Sequence, residues 1–243
     1  MIIKKRETDV EVDIILLTYN NINNTIECIK CLYTNTKNFG LIIIDNNSQD
    51  GTRDYINKLL EAHNNITVVF NDENFGIIKG RNMGYDISKT LLNPPEIIGF
   101  LDNDQFVQKG WFEKYKELLS EADMVGIEAW QMRKDFFPCK KVTSSSSMPY
   151  NYVGCGGMVI KKEVIEDVGL FDERYNPMYW EDPDFCWTAH DAGYTVKWCS
   201  SPMIFHKPHQ LLDKERKKYF MASWKQFQNK WKGRELTVFN PLK

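Results

Sequence analysis

The sequence lacks the long apolar segments of a membrane-spanning or secreted protein. Its apolar runs fall well below the ~20 residues that a transmembrane helix needs, and residues 1–7 contain no apolar core of signal-peptide length. The formal net charge is only −2, so no global basic field favours nucleic acid as a partner. We therefore expect a cytoplasmic protein without a nucleic-acid partner, and peripheral contact with the inner face of the membrane stays an open alternative.

Two common nucleotide-binding signatures are also missing. No G-x-G-x-x-G follows the first apolar run, and no G-x-x-x-x-G-K-[ST] occurs anywhere in the chain, which removes the main support for a dinucleotide or P-loop site. Six cysteines are scattered over 243 residues, and the single C-x-x-C, Cys28 to Cys31, has no second pair at zinc-finger spacing. We expect reduced thiols that pack on a helix rather than a metal or redox site.

Apolar runs of strand length alternate with helical segments, which is typical of β-α-β units and a mostly parallel sheet. The predicted strands of the first half are 12–18, 41–44, 66–70 and 96–101, and the predicted helices are 24–33, 52–63 and 77–89. The predicted elements of the second half are a helix at 107–121, strands at 123–130, 152–160 and 194–199, an aperiodic loop at 133–150, and helices at 183–192 and 211–231.

The most informative motif is the pair of carboxylates Asp102 and Asp104, which follows the fourth predicted strand. Open α/β sheets bind ligands at the carboxyl ends of their strands. Two carboxylates one residue apart suit a divalent cation such as Mg²⁺ or Mn²⁺ that substrate phosphates also hold. A solvated loop with a helix cap is the simpler alternative for these residues.

Polar residues also follow the other parallel strands. Thr18, Tyr19 and Asn20 follow the first strand, Asp45 ends the second, and residues 71–76 follow the third. These groups converge on one crevice if the sheet is parallel. An aromatic ring can stack on a base and a carboxylate can accept a hydrogen bond from it, although Tyr19 can equally be a loop aromatic and Asp45 a turn or cap residue.

An ordered set of motifs resembles the family 2 glycosyltransferases over about residues 12 to 206. In chain order the motifs are Asp13–Asn20, Asp45–Thr52, Asn74–Gly76 with Gly80–Gly84, Leu101–Asp104, Gly154–Ile160, Gly169–Glu173 and Trp180–Asp184. Each motif alone is weak, but the ordered set is specific. The resemblance implies an α/β GT-A fold, with a Rossmann-like nucleotide-binding half and an acceptor-binding half, a nucleotide-sugar donor, Mn²⁺ or Mg²⁺, and inversion at the anomeric carbon.

Carried over by position, the resemblance implies a donor site and a metal site. The implied donor-binding residues are Thr18, Tyr19, Asn20, Asp45, Asn74, Gly76, Arg81, Asp102, Asn103 and Gly156, and the implied metal ligands are Asp102, Asp104 and His206. Tyr19 would stack near the base, Asp45 would bind it, and Arg81 would lie near the nucleotide or diphosphate. A structural role is the alternative for His206.

A second acidic cluster, Glu181–Asp184, lies downstream. The resemblance implies that Asp182 is the general base that takes the proton of an acceptor hydroxyl, and that Glu181 orients the acceptor or the base. Stabilisation of a helix dipole is the alternative, and it suits Asp184.

We expect a single domain at 1–243, with a nucleotide-sugar half at 12–104, an acceptor and catalytic-base half at 105–206, and a helical extension at 207–243. The extension is basic and aromatic; we expect it to pack on its own domain, with peripheral membrane contact as the alternative.

The predicted function is metal-dependent, inverting sugar transfer from a nucleotide-diphosphate donor, UDP-sugar first, to a hydroxyl of a glycan, lipid-linked or protein acceptor. Two rivals remain: a nucleotidyltransferase, which would normally carry a Gly-rich basic loop after the first strand, and a non-catalytic module that binds sugar nucleotides or glycans.

Overall fold

The computed structural model describes residues 2–4, 6, 8–142, 151–201, 203–207 and 213–234. The strands are β1 Ile2–Lys4, β2 Val12–Thr18, β3 Phe39–Asp45, β4 Ile66–Phe70, β5 Ile97–Asp102, β6 Gln105–Val107, β7 Met124–Gly126, β8 Ala129–Met132, β9 Pro138–Val142, β10 Tyr152–Val153, β11 Val159–Lys161, β12 Val196–Trp198 and β13 Ile204–His206. The helices are α1 Ile22–Asn35, α2 Thr52–Ala62, α3 Gly76–Ser88, α4 Trp111–Leu119, α5 Lys162–Val168, α6 Glu181–Asp191 and α7 Lys214–Trp231. None of the helices in these ranges is long and apolar enough to cross a membrane.

An eight-stranded sheet in the order β1-β4-β3-β2-β5-β11-β7-β12 forms the centre of the molecule. Strands β4, β3, β2 and β5 are parallel to one another, as the β-α-β pattern predicts. Strand β11 pairs antiparallel with β5 and β7, while β12 pairs parallel with β7. The carboxyl ends of the parallel strands therefore share one edge of the sheet, where ligands bind in this class of fold.

Each face of the sheet carries its own apolar core. Alternate residues of β2 face opposite sides: Ile14 and Leu16 contribute to one core and Ile15 and Leu17 to the other. The first core includes buried residues of α1, α2 and α4, and the second includes residues of α3, α5, α6 and α7. A strand buried on both faces must be apolar throughout, which explains the near-continuous Ile and Leu runs of the sequence.

Two small sheets lie beside the central one. Strands β10, β8 and β9 form an antiparallel sheet, and β13 pairs antiparallel with β6, with His206 opposite Gln105. This last pairing joins the segment after Asp104 to the segment at His206, which is about one hundred residues away in sequence.

From residue 12 to residue 102 the chain agrees with the predicted elements, whereas β1 is an additional strand and the second half requires corrections. The predicted helix at 107–121 starts four residues too early, because Val107 belongs to β6 and pairs with β13. The predicted strand at 123–130 is two strands in different sheets. The predicted loop at 133–150 contains β9, although 143–150 lie outside the described residues. Helix α5 was not predicted. The predicted start of the last helix at residue 211 also falls outside the described part; α7 is described from Lys214.

Candidate active site

The carboxyl ends of β2 and β3 are joined by their own polar side chains. Thr18 lies opposite Asp45 in the register of the parallel pair. Its hydroxyl donates a hydrogen bond to Asp45 Oδ1 over 3.1 Å, and both residues are fully buried. The predicted convergence of these two strand ends is therefore present in the fold.

Asp45 has further internal partners. Its Oδ2 accepts hydrogen bonds from the backbone N–H of Ser48 over 3.1 Å and from Arg53 Nε over 2.7 Å. Arg53, the second residue of α2, also donates to the backbone carbonyl of Asn71. The Asp45 carboxylate thus ties together the loops after β3 and β4, and its direct binding to a base stays a prediction. Arg53 was not predicted as a site residue from the sequence. A basic residue in the first turn of a helix that closely follows a strand-ending carboxylate is a pattern that could have indicated it.

The loop after β2 is held in a specific conformation and leaves one ring exposed. Asn20 has a left-handed backbone, with φ of 54°, and its side-chain Oδ1 accepts from the backbone N–H of Gln49 over 2.8 Å. Asn103 Nδ2 donates to the backbone carbonyl of Asn20 over 3.0 Å and to Thr25 Oγ1 over 2.9 Å. Tyr19 is 51% exposed between these fixed neighbours. An exposed ring on an ordered loop can stack on a base without reorganisation.

The start of α3 is shaped by a glycine. Gly76 has φ of +85°, and a Cβ there would lie 2.8 Å from the backbone Cα of Pro177, so only glycine fits. Asn74, which is exposed, accepts a hydrogen bond from the Gly76 N–H over 2.9 Å. Asn46 Nδ2 donates to the Gly76 carbonyl over 3.1 Å. The contacts of Gly76 with Asn46 and Asn74 therefore hold the start of α3, the helix that carries Arg81, against the ends of the strands.

Arg81 joins the two acidic clusters. The residue is 3% exposed, and its Nη2 donates to both carboxylate oxygens of Asp102, over 3.1 and 3.0 Å. Its Nη1 lies 3.5 Å from Glu181 Oε1 and 3.7 Å from Asp182 Oδ1. Within the described part of the chain, neither Nε nor Nη1 of Arg81 has a hydrogen-bond partner. One buried guanidinium thus holds together carboxylates that lie about eighty residues apart in sequence.

The backbone of Gly156 lies close to Asp102 and Arg81, because glycine has no side chain at this position. A Cβ at Gly156 would lie 2.5 Å from Asp102 Oδ2 and 3.0 Å from Gln105 Nε2. Gln105 is fully buried, and its side-chain oxygen accepts from the backbone N–H of Asp102 over 2.9 Å. This hydrogen bond holds the backbone at the end of β5, and Gln105 was not predicted as a site residue from the sequence.

Asp104 and His206 come together through the β6–β13 pair. His206 Nε2 lies 3.5 Å from Asp104 Oδ1, and Nδ1 lies 3.8 Å from Glu128 Oε1. Burial opposes the charged imidazole, but the hydrogen bonds and negative charges of Asp104 and Glu128 outweigh it and raise the pKa of His206 to about 10.

Two carboxylates and an imidazole are a donor set that suits Mn²⁺. In the described ranges no three acidic, histidine or cysteine side chains are already arranged to hold a metal ion. Asp102 is bound to Arg81 instead and Asp104 faces His206. The residues Asp102, Asp104 and His206 therefore fit a divalent cation in chemistry, and cation binding requires their carboxylates to turn.

Glu181 and Asp182 open α6 directly after two residues with left-handed backbone, Tyr179 and Trp180. Glu181 is 5% exposed; its burial, together with the neighbouring charge of Asp182, raises its pKa to about 8. Burial also raises the pKa of Asp182 against the opposing effect of Arg81. The Asp182 side chain is 31% exposed, so it is the carboxylate of this pair that an incoming hydroxyl can reach. A raised pKa is the property that a carboxylate base needs near neutral pH.

Asp184 has a different environment from its two neighbours. It is 3% exposed, and its oxygens accept from Tyr175 Oη over 3.1 Å, Lys230 Nζ over 2.7 Å and Trp231 Nε1 over 2.8 Å. Its role therefore goes beyond the interaction with the dipole of α6: it attaches α7 to the turn that carries Asp182.

Comparisons with known proteins address the family and the fold of the chain. The sequence model of glycosyl transferase family 2 matches residues 13–166, which is more than half of the chain. The glycosyltransferase AglE of Haloferax volcanii is 27% identical over 233 residues, covering 89% of this chain and 73% of that protein.

Solved structures share the fold at low sequence identity. The S. aureus TarS fragment 1-349 in complex with UDP-GlcNAc has a TM-score of 0.61 at 16% identity and covers 84% of this chain. GalNAc-T7 with UDP, GalNAc and Mn²⁺ has a TM-score of 0.74 at 12% identity and covers 94% of this chain. The chain spans 60% of the TarS fragment and 49% of the GalNAc-T7 chain. These similarities confirm the predicted α/β GT-A fold, and the match over residues 13–166 establishes that the chain belongs to glycosyl transferase family 2.

Proposed function

We propose that this chain transfers a sugar from a nucleotide-diphosphate donor to an acceptor hydroxyl, with a divalent metal and with inversion at the anomeric carbon. The observation that carries the proposal is the position of Arg81 between Asp102 and the pair Glu181–Asp182. Nη2 of this buried guanidinium contacts a candidate metal ligand, and Nη1 lies near a candidate base. A single displacement at the anomeric carbon needs leaving-group stabilisation on one side and a base on the other.

In this proposal the donor lies along residues 12–104. Tyr19 stacks on the base, and the donor-site residues predicted from the sequence surround the nucleotide. UDP is the preferred nucleotide, because TarS and GalNAc-T7 were solved with UDP-GlcNAc and with UDP, respectively. A dTDP- or GDP-sugar stays the alternative that the experiment below separates.

Asp102, Asp104 and His206 are the proposed metal ligands. A bound Mn²⁺ or Mg²⁺ would neutralise charge on the leaving diphosphate, and the Mn²⁺ of the GalNAc-T7 structure supports the choice of metal. Arg81, released from Asp102 when that carboxylate turns, then has donors for a diphosphate oxygen.

The acceptor approaches through residues 105–206 in this proposal. Asp182 takes the proton from the acceptor hydroxyl while the oxygen attacks C1 of the sugar, and the C1–O bond to the diphosphate breaks on the opposite face. Glu181, held by Arg81, orients the base. The acceptor class is a hydroxyl of a glycan, a lipid-linked saccharide or a protein, and residues 207–243 form an extension of the same single domain.

Neither rival function explains the second acidic cluster. A nucleotidyltransferase would normally place a Gly-rich basic loop after the first strand, where this chain has Thr18–Ile22. A non-catalytic binding module has no need for two adjacent carboxylates, one buried and one partly exposed, with raised pKa values beside the proposed donor site.

A screen of UDP-, dTDP- and GDP-sugars, each with and without Mn²⁺, tests the proposal. Thermal stabilisation reports binding, and release of the nucleoside diphosphate reports slow transfer to water. We expect one UDP-sugar to raise the melting temperature and to be hydrolysed in a metal-dependent way. Stabilisation without any hydrolysis would favour the binding module, and no response to any nucleotide sugar would contradict the proposal.

A further inference from the structure

The last described helix, α7, has two faces of different chemistry. Its inner face is aromatic: Phe227 and Trp231 are fully buried, with ring centroids 5.1 Å from Trp180 and 5.4 Å from Trp187, respectively. Phe227 and Trp231 therefore pack on their own domain, whereas Tyr219, Phe220 and Trp224 are partly exposed.

The outer face of α7 is strongly basic. The segment 213–234 contains eight Lys or Arg and two Asp or Glu, a net charge of +6, whereas the whole chain carries −2. The exposed basic residues of this segment are Lys214, Arg216, Lys217, Lys218, Lys225, Lys232 and Arg234. The charge of the molecule is therefore separated: one helix is basic, and the remainder is acidic by a net −8.

These cations form a stripe rather than a scatter. Lys214, Lys218, Met221 and Lys225 follow one another at spacings of four, three and four residues, which places them along one side of a helix. Met221 is 48% exposed in the middle of this stripe.

The lysines of the stripe form no ion pairs with the part of the protein that the structure describes. Among the residues that the structure describes, Lys214, Lys218 and Lys225 form no ion pair, and the N-terminal pair of the helix, Arg216 with Asp213, is long at 3.8 Å. By contrast, Lys230 on the inner side is only 20% exposed and is bound to Asp184. The basic stripe is therefore available to an external anion.

We propose that the outer face of α7 docks on an anionic lipid surface. Helices with four to eight Lys or Arg on one side bind anionic headgroups, each cation adding to the attraction. Lys217 lies on the same side of the helix as Lys214, Lys218 and Lys225, which gives four exposed lysines on one side. An 18-residue helix is about 27 Å long, so a planar array of phosphates can meet these four lysines together, which a small anion cannot. The acidic remainder is repelled by the same surface, and this repulsion fixes the orientation of the molecule.

The docked orientation has a consequence that rests on the proposed function. Phe220 of α7 packs 5.6 Å from Trp180, the residue immediately before Glu181 and Asp182. Docking through α7 therefore brings the acceptor side of the candidate active site close to the lipid surface. The acceptor class that this geometry favours is a saccharide carried on a lipid.

The test is flotation of the full chain with vesicles, without any nucleotide or sugar, so that its result does not depend on transferase activity. One vesicle population contains phosphatidylcholine alone and the other contains phosphatidylcholine with phosphatidylglycerol. We expect binding to the second population only, and loss of that binding at high salt, because the attraction is electrostatic. Failure to bind the anionic vesicles would overturn the proposal.

Two triple variants locate the surface. Lys214→Glu/Lys218→Glu/Lys225→Glu reverses the stripe, and Lys37→Glu/Lys58→Glu/Lys109→Glu makes the same change of net charge at exposed lysines outside α7. We expect the first variant to bind ~100-fold or more weakly and the second to bind almost as well as the native chain. Equal losses in both variants, or no loss in the first, would contradict a surface on α7.

A soluble polyanion separates the lipid surface from an anionic polymer. Binding of the native chain to dextran sulfate without binding to the anionic vesicles would overturn the lipid proposal. Circular dichroism of all variants reports whether each is folded, and the control triple variant keeps the comparison valid if charge reversal lowers stability.

Discussion

Arg81 is the residue on which the candidate active site depends. Three carboxylates, those of Asp102, Glu181 and Asp182, lie around one guanidinium that is almost fully buried. Burial first, and neighbouring negative charge second, raise the pKa values of Glu181 and Asp182. Three carboxylates around a single guanidinium leave an excess of negative charge, which a bound divalent cation would offset.

The predicted effect of removing the base is a loss of rate without a loss of donor affinity. Asp182→Asn keeps the shape of the side chain but cannot accept a proton, so transfer to water or acceptor should fall by about 10²–10⁴. Donor affinity should stay near the native value, since our proposal assigns Asp182 to the acceptor and not to the donor. Steady-state kinetics and calorimetry on the same preparation measure the two quantities, with Glu181→Gln as the comparison. A native rate in Asp182→Asn would show that the base is elsewhere.

Tyr19 is predicted to contribute to nucleotide binding and not to stability. Because its ring is 51% exposed, Tyr19→Ala should leave the melting temperature almost unchanged. Loss of base stacking should weaken UDP binding by roughly 5–150-fold, which corresponds to about 1–3 kcal/mol. Leu92→Ala, at a side chain that is 64% exposed, is the control. Unchanged UDP affinity in Tyr19→Ala would remove this residue from the donor site.

Glu181 is predicted to make the fold less stable as the pH rises. Its pKa is raised from an ordinary 4.5 to about 8, so the folded chain keeps a proton that the unfolded chain releases between these values. Its contribution therefore becomes less favourable from pH 4.5 to pH 8. Melting temperatures at pH 5 and pH 8 should show that Glu181→Gln gains stability relative to the native chain at the higher pH. If the melting temperatures of Glu181→Gln and the native chain differ by the same amount at pH 5 and at pH 8, Glu181 is already ionised at pH 5.

At the scale of elements, α6 and α7 act together. The turn that presents Asp182 is attached to α7 through the buried side chain of Asp184, which accepts from Lys230 and Trp231. Ser223 of α7 also donates to the backbone carbonyl of Met178, over 3.4 Å. Helix α7 is thus part of the support of the candidate site, and its removal should disturb the turn that carries Asp182.

Asp184→Ala should be strongly destabilising. It leaves Lys230 Nζ and Trp231 Nε1 without their acceptor in a buried place, which typically costs about 2–4 kcal/mol. Asp191→Ala on the same helix removes a carboxylate that is 53% exposed and only 3.8 Å from Arg234, so its effect should stay below about 0.5 kcal/mol. Urea unfolding compares the two variants. Similar midpoints would contradict the attachment of α7 through Asp184.

The apolar pattern of the sequence predicted the strands whose own residues are apolar on both faces. Strands β2 and β4 have their predicted bounds, because a strand buried on both faces is apolar throughout. Strand β6 was missed because its partner β13 is about one hundred residues away. Strand β9 pairs with the neighbouring β8, and it was missed because its sequence, Pro-Cys-Lys-Lys-Val, lacks the apolar pattern of a strand. The sequence also indicated the residues of the site but could not predict that Arg81 joins its two acidic clusters, since that contact depends on how α3 and α6 meet.

At the scale of the whole molecule, one sheet edge collects the functional groups. Parallel strands bring Thr18, Asp45 and Asp102 to the same side, and the β6–β13 pair adds His206. The basic α7 contacts Trp180, the residue before the candidate base pair Glu181–Asp182. In our proposal the donor site, the base and the lipid contact therefore follow one another across the molecule, which suits transfer from a nucleotide sugar to an acceptor at a surface.

The central claim is that the edge around Asp102 and Asp104 binds a nucleoside diphosphate together with a divalent metal. Calorimetric titration of UDP into the native chain, Asp104→Ala and Asp182→Asn, each with and without Mn²⁺, tests it most directly. The account predicts that Mn²⁺ strengthens UDP binding in the native chain and in Asp182→Asn, and that Asp104→Ala loses this dependence while it keeps its fold. Equal metal-assisted binding in Asp104→Ala, or no UDP binding by the native chain in the presence of Mn²⁺, would contradict it.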